Sequence, residues 1–193
     1  MIDEVESSLD SNSNQEGFAF FYCNRNEDLR REPLSVLRAF VRQLSTTAGD
    51  KHSIQKRIRS YYSDAQRKAT EPTMNDCREL LLELVNIYPR TTLVIDALDE
   101  CEKRKRIELM KILDHILNQA SNPVKIFISS RPDGDIKKRL KCRTNIEIDA
   151  TKNQDDISRY VRDEIVKHER WERMPQKLQD HIVETLQQQS QGM

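Results

Sequence analysis

Short runs of consecutive apolar residues alternate along the chain with longer segments whose apolar residues recur every three or four positions. The runs are Phe18–Cys23, Thr91–Ile95, Val124–Ser129 and Ile146–Ile148. Their length and their content of aromatic and β-branched residues predict short strands, and the first three are apolar enough to be buried on both faces of a sheet.

The segments between these strands have the spacing of amphipathic helices. Pro33 is suited to a first helical turn, and Thr73 with Asp76 resembles a capping box. Pro89 and the pair Asn122-Pro123 end two of the helices. The predicted helices cover residues 1–9, 33–44, 53–69, 76–88, 107–117, 136–140, 156–168 and 175–189.

This alternation predicts the fold class. Parallel strands need long crossovers, which helices supply, so the pattern predicts an α/β fold with a parallel sheet and flanking helices. The strands stop beyond Ala150. We therefore expect two domains, an α/β core over residues 1–150 and the start of a helical subdomain over residues 151–193.

Charge and hydropathy exclude several classes of protein. The chain has 32 Lys and Arg against 32 Asp and Glu, so it lacks the cationic surplus of a nucleic-acid binder. The basic clusters Lys103–Arg106 and Lys137–Arg143 are interpreted as solvated helix faces. No apolar run approaches the roughly 20 residues of a membrane span, and the acidic N-terminus is not a secretion signal. We expect a cytoplasmic protein with no membrane partner.

The four cysteines are Cys23, Cys77, Cys101 and Cys142, with at least 24 positions between neighbours in the sequence. They lack the short paired spacing of a zinc site or a redox dithiol. We interpret them as small buried or half-buried side chains.

The strand that ends in Asp96 carries the most informative chemistry. A carboxylate after an apolar strand lies at the carboxyl edge of a parallel sheet, where open α/β sheets bind ligands. Asp96 is therefore a candidate magnesium ligand, and Asp99 and Glu100 are candidates to orient or deprotonate an attacking water. The alternative is a helix whose first turn carries acids because the helix dipole favours them.

The strand Val124–Ser129 also leads into polar residues. Ser129, Ser130 and Arg131 follow it and are expected at the same edge of the sheet. A guanidinium group there can bind the terminal phosphate of a nucleotide, although a strand-ending arginine also commonly serves as an ion-pair partner.

Two segments resemble a known family. Leu93–Cys101 and Ile126–Ile136 are similar to the Walker B and sensor 1 segments of NACHT-type STAND signalling NTPases, particularly the fungal vegetative-incompatibility proteins that carry repeat arrays. The resemblance implies a P-loop NTPase fold of the ASCE type. It also implies that Asp96 serves Mg²⁺, that Asp99 and Glu100 serve hydrolysis, and that Ser129, Ser130 and Arg131 contact ATP or GTP.

One motif of that family is missing. A phosphate-binding loop needs glycines followed by Lys and a hydroxyl residue, and none of the four glycines here is followed by Lys. We expect the sequence to begin just after the first strand and its loop, and to end inside the helical subdomain. The intact parent would bind Mg²⁺ with ATP or GTP, whereas this chain alone would bind neither well and would not hydrolyse nucleotide.

Three functions remain open at this point. The first is the NTPase core of a signalling switch without its P-loop. The second is a nucleotide-blind interaction module, or truncated paralogue, that associates with itself or with related NACHT proteins. The third is a DNA-transaction ATPase of the same broad fold, which the neutral charge disfavours.

Overall fold

The computed structural model describes residues 16–47, 50–54, 56–147, 159–160, 162–165, 167, 171 and 174–189. The elements in chain order are β1 (Gly17–Tyr22), α1 (Asp28–Arg31), α2 (Pro33–Leu44), β2 (Thr46–Thr47), β3 (Asp50–Ile54), α3 (Lys56–Lys68), α4 (Met74–Val85), β4 (Thr91–Asp96), a 3₁₀ turn (Leu98–Glu100), α5 (Lys103–Gln119), β5 (Val124–Ile128), α6 (Gly134–Leu140) and α7 (Gln176–Gln189). The chain divides into two compact units, Met1–Arg139 and Leu140–Met193.

A parallel sheet with the strand order β1-β4-β5 forms the centre of the first unit. This confirms the predicted α/β class, a parallel sheet whose strands alternate with helices. β4 is the middle strand, and its Leu93 and Ile95 are completely buried, as is Ala19 of β1. The predicted burial on both faces holds for β4, whereas in β1 only Gly17 and Ala19 are buried and Tyr22 is 41% exposed.

The prediction that the third strand is buried is wrong. Residues along β5 alternate between half-buried and exposed, and 58% of Phe127 is exposed. Val124, Ile126 and Ile128 are half-buried on one face of β5, whereas Lys125 and Phe127 are exposed on the other, so only one face of the strand is covered.

Helix α2 packs against β1 and α4 and buries the predicted apolar face. Pro33 lies in its first turn, where a missing N–H costs nothing. The predicted capping box of α4 is also present, since the Thr73 hydroxyl accepts from the Asp76 N–H and an Asp76 oxygen accepts from the Thr73 N–H. The buried residues of these two helices are Pro33, Val36, Leu37, Phe40, Val41 and Leu44 in α2, and Cys77, Leu80, Leu81, Leu84 and Val85 in α4.

One side chain from α2 covers the edge of β1 that faces away from β4, an edge on which no other described strand pairs. The Gln43 amide oxygen accepts from the Phe20 N–H at 2.9 Å, and its amide nitrogen donates to the Phe20 carbonyl at 2.9 Å. Gln43 thus pairs with the strand as another strand would, which protects an edge that could otherwise recruit a second chain.

The remaining predictions met different outcomes. The helix predicted over residues 53–69 begins only at Lys56, because residues 50–54 form a strand that pairs with β2 in an antiparallel ladder, with Ile54 opposite Thr46. Ile146 lies in no strand, and Ile148 is outside the described residues, as are residues 1–9 and the domain boundary near residue 150, which stays a prediction.

In the second unit, α7 confirms the helix predicted over residues 175–189. Gln179 from this helix donates to the carbonyls of Trp171 and Met174 at 2.8 and 3.0 Å. Residues 159–160 and 162–165 are also helical. Within the part of the chain that the structure describes, no helix has the length and apolar character needed to cross a membrane.

Candidate functional site

The candidate residues predicted from the sequence all lie at the carboxyl edge of the sheet. Asp96 is the last residue of β4, and the 3₁₀ turn that follows contains Asp99 and Glu100. Ser129, Ser130 and Arg131 follow the neighbouring strand β5. The two groups are in direct contact, because β4 and β5 are parallel and in register up to Ile95 and Ile128.

A serine hydroxyl connects the ends of these two strands. Ser129 Oγ donates to Asp96 Oδ1 at 2.5 Å and accepts from the Ala97 N–H at 2.9 Å. The Ser129 backbone continues the ladder, since its N–H donates to the Ile95 carbonyl at 2.9 Å and its carbonyl accepts from the Leu98 N–H at 3.0 Å. Ser129 therefore holds the Asp96 carboxylate in a defined orientation.

Ala97 turns the chain sharply between Asp96 and the 3₁₀ turn. Its backbone has φ 54° and ψ 50°, the left-handed conformation that costs an L-residue roughly 1–2 kcal/mol. Leu98, which is completely buried, anchors the far side of this turn. The strained turn directs Asp99 toward the segment that follows β5.

Asp99 lies between two arginines. Its side chain is only 8% exposed, and its Oδ1 accepts from the Arg131 N–H at 3.0 Å and from the Ser130 hydroxyl at 3.5 Å. The guanidinium groups of Arg25 and Arg131 lie 3.7 and 3.9 Å from Asp99 Oδ2. The structure thus makes Arg131 an ion-pair partner of Asp99, while leaving 71% of its side chain exposed at the edge.

Arg25 is a member of the site that the sequence analysis did not identify. Its N–H donates to Glu100 Oε2 at 3.0 Å, and its guanidinium group lies 3.3 Å from Glu100 Oε1. The signal was available, because Arg25 follows the apolar strand β1 and the carboxyl ends of parallel strands lie at one edge. Applying that rule to β1 as well as to the other two strands would have found it.

Arg106 was predicted as part of a solvated basic cluster, and this is wrong. Only 1% of its side chain is exposed, because α5 turns it inward beneath the site. Its guanidinium group donates to Asp135 at Oδ2 (2.7 Å) and at Oδ1, to Asp133 Oδ2 (2.5 Å), and to the Asp99 carbonyl (3.1 Å). Arg106 therefore joins the turn after β4 to the loop after β5.

These contacts shift the titration of the acids. Hydrogen bonds from Arg106, helped by the Gly134 N–H, lower the pKa of Asp133 to about 2. The hydrogen bonds from Arg106 also lower the pKa of Asp135, and those carboxylates in turn raise the pKa of Arg106. All three groups are charged at neutral pH, so the cluster is an ion-paired network rather than an acid or base poised to transfer a proton.

The edge is suited to a ligand that brings both an anion and a divalent cation. No three His, Cys, Asp or Glu side chains within the described ranges are close enough to bind a metal ion by themselves. Magnesium, however, is commonly held by one or two carboxylates together with phosphate oxygens and water. Asp96, oriented by Ser129, fits that role, and the exposed arginines fit phosphate oxygens.

Comparison with known proteins adds one finding. A family model described as Nephrocystin 3, N-terminal, matches residues 1–131 of the 193. The match spans β1, β4, the 3₁₀ turn, β5 and every candidate residue from Arg25 to Arg131. Among curated proteins there is no match to the chain.

Proposed function

The chain belongs to the Nephrocystin 3, N-terminal family, and on that premise we propose that it is the core of a NACHT-type P-loop NTPase that acts as a nucleotide-dependent signalling switch in the cytoplasm. The observation that supports this proposal most strongly is the meeting of acids and arginines at the carboxyl edge. Asp96, Asp99 and Glu100 come from β4 and its turn, and Arg131 comes from the end of β5.

In this proposal each side chain at the edge has its own role. Asp96 would hold a magnesium ion, which would neutralise charge on the phosphate oxygens of bound ATP or GTP. Arg131, exposed and next to Asp99, contacts the terminal phosphate together with Ser129 and Ser130. Asp99 and Glu100 orient the attacking water.

The ion pairs set a condition on that chemistry. Arg25 lies within 4 Å of both Asp99 and Glu100, and Arg131 is within 4 Å of Asp99. A phosphate group that attracts these arginines would release the acids to bind water. Hydrolysis in this scheme therefore requires phosphate binding first, which is the behaviour of a switch.

The affinity of this chain for nucleotide is limited by the residues that it contains. They contain no glycine followed by Lys, so they supply neither the backbone cradle nor the Lys of a phosphate loop. Each charge-assisted hydrogen bond that is missing removes roughly 1.5–3 kcal/mol of favourable energy. We expect a dissociation constant for magnesium-ATP on the order of 1 mM, about −4 kcal/mol of binding free energy, and no measurable turnover.

A titration followed by amide chemical shifts tests this proposal. Magnesium-ATP and magnesium-GTP should shift the N–H signals of Ala97 and of residues 129–131 with millimolar midpoints. Asp96→Asn should weaken the magnesium-dependent part of the shift, whereas Asp64→Asn, an exposed acid on α3, should leave it unchanged. Micromolar affinity, or shifts scattered away from the sheet edge, would contradict the proposal.

A second candidate function is protein association without nucleotide, and one observation favours it. Phe127 exposes 58% of its surface on β5, the edge strand of the described sheet. Such an edge can pair with another strand. In this alternative the chain self-associates or binds related proteins through β5.

Light scattering over a range of protein concentrations tests the association. If β5 mediates it, Phe127→Ser should lower the average mass at high concentration. Leu29→Ser is the matched control, because Leu29 is 78% exposed on α1, outside the sheet. A chain that stays monomeric at every concentration would exclude self-association through β5.

A further inference from the structure

Two cysteines that are distant in the sequence have their sulfur atoms in contact. Cys23 Sγ lies 3.2 Å from Cys101 Sγ, although 78 positions separate them in the chain. Both residues are buried, with 7% and 4% of their surfaces exposed. Of the other two cysteines, Cys77 is buried on α4 and Cys142 is exposed.

The backbone holds each cysteine of the pair in place. The Cys23 N–H donates to the Asp96 carbonyl at 3.0 Å, which extends the ladder of β1 and β4 by one residue. The Cys101 N–H donates to the Leu98 carbonyl at 3.1 Å and closes the 3₁₀ turn. The two sulfurs are therefore brought together by regular structure on both sides, not by a flexible loop.

The surroundings make the two thiols unequal. The hydrogen bond between the two sulfurs and the charge of nearby Arg106 lower the pKa of Cys101, against the effect of burial. The thiolate is the form that attacks an oxidant, and the lowered pKa favours that form at Cys101.

We propose that Cys23 and Cys101 are a reversible disulfide site, oxidised by a hydroperoxide and reduced by a dithiol. The Cys101 thiolate attacks the peroxide, so that an S–O bond forms, the O–O bond breaks, and the leaving hydroxide takes a proton to become water. Cys23 then attacks the sulfenic sulfur, an S–S bond forms, and the hydroxyl group leaves with the Cys23 proton as a second water. Two thiols lose two electrons, and one hydrogen peroxide molecule becomes two waters.

The bond would join the end of β1 to the turn after β4. The residues next to the pair already touch, because Arg25 binds Glu100 through both its N–H and its guanidinium group. Oxidation would therefore hold Arg25 against the acids of the candidate site. The disulfide itself does not depend on the nucleotide proposal, since its formation is read out without nucleotide.

Peptide mapping tests the site in the full chain carrying Cys142→Ser, which removes the exposed thiol that would form links between molecules. The folded protein is treated with hydrogen peroxide, its free thiols are alkylated, and it is digested with trypsin without reductant. We expect the peptides of residues 1–25 and 91–103 to be joined, with a loss of two hydrogen atoms that dithiothreitol reverses. Because both sulfurs are buried, the link should form more slowly than Cys142 oxidises in the unmodified chain.

Variants and a thermal measurement complete the test. The joined peptide should disappear in Cys23→Ser and in Cys101→Ser but persist in Cys77→Ser, which also changes a buried thiol. The oxidised protein should unfold several degrees higher than the reduced one, because the bond closes a long loop. The main measurement alters neither cysteine of the pair, so it does not depend on how the variants fold. Overoxidised but unlinked Cys101, a link to Cys77, or a link that forms only after unfolding in urea would overturn the proposal.

Discussion

Replacing Arg106 with Met tests whether the site is organised from below by a buried charge. The guanidinium group of Arg106 is 1% exposed and donates to Asp133, to both oxygens of Asp135 and to the Asp99 carbonyl. Met has a similar length and fills much of the same space. The substitution therefore removes the charge and the donors while leaving most of the packing.

The expected loss is large because Asp135 would lose its partner in a half-buried position. Breaking a buried pair by removing one partner costs about 3–5 kcal/mol. The Asp135 side chain keeps 18% exposure, so water compensates in part. We expect Arg106→Met to lower the free energy of unfolding by about 3 kcal/mol at neutral pH.

Acid should reduce the difference in the free energy of unfolding between the original chain and Arg106→Met. The pKa of Asp133 is lowered to about 2, and that of Asp135 is also lowered, both by Arg106. Carboxylates with lowered pKa values stabilise the folded state above their unfolded pKa, near 3.9, and lose that contribution as the pH falls through the folded value. The gap between the original chain and Arg106→Met should therefore narrow between pH 4 and pH 2.

Urea denaturation followed by far-ultraviolet circular dichroism measures these differences. Fluorescence is less suitable, because the one tryptophan, Trp171, lies in the other unit of the chain. Arg104→Met is the matched control, since Arg104 is exposed on the same helix and its loss should change stability by about 0.5 kcal/mol or less. If the two variants behave alike, or if the effect of Arg106→Met does not depend on pH, the reasoning about the buried network is wrong.

Two further predictions concern the backbone that positions the site. Ala97→Gly should raise the midpoint of thermal unfolding or leave it unchanged, because Gly adopts φ 54° without steric cost, and this gain offsets the greater flexibility of Gly in the unfolded chain. A clear decrease in the midpoint would show that the Ala97 methyl group contributes packing. Gln43→Glu should lower the free energy of unfolding, measured by urea denaturation, by about 1–3 kcal/mol, because the amide that donates to the Phe20 carbonyl becomes a carboxylate oxygen. Gln66→Glu, on the exposed side of α3, should have little effect. Equal losses in the two variants would contradict the pairing of Gln43 with β1.

The ion pairs at the site fit two different roles. Asp99 and Glu100 are both engaged by Arg25, and Arg131 lies on the other side of Asp99. A site for magnesium and phosphate and a purely structural salt-bridge network share these contacts. The two roles differ in whether the arginines exchange their carboxylate partners for phosphate. Only a ligand-binding site would release the arginines when phosphate is added, and the chemical-shift titration detects that release.

The sequence by itself was enough to predict the three strands of the parallel sheet, their alternation with helices and the edge where their carboxyl ends meet. Apolar runs identify β1 and β4 because a strand packed in the middle of a fold buries mostly apolar side chains, as Leu93, Val94 and Ile95 of β4 show. Parallel pairing then places every strand end at one edge, so Asp96 and Ser129 were expected near each other before any contact was known. These features follow from local pattern and from a general rule of topology.

Tertiary structure alone decided which side chains pair across the fold. The contact between Arg25 and Glu100 spans 75 positions and that between Cys23 and Cys101 spans 78, while Arg106 is buried within a stretch that reads as a solvated basic cluster. No periodicity records such pairs, because each depends on how two distant turns happen to face each other. The burial of Arg106 follows from the same cause, since the carboxylates that stabilise its charge come from the loop after β5 and from the first turn of α6, which only the folded chain brings next to α5.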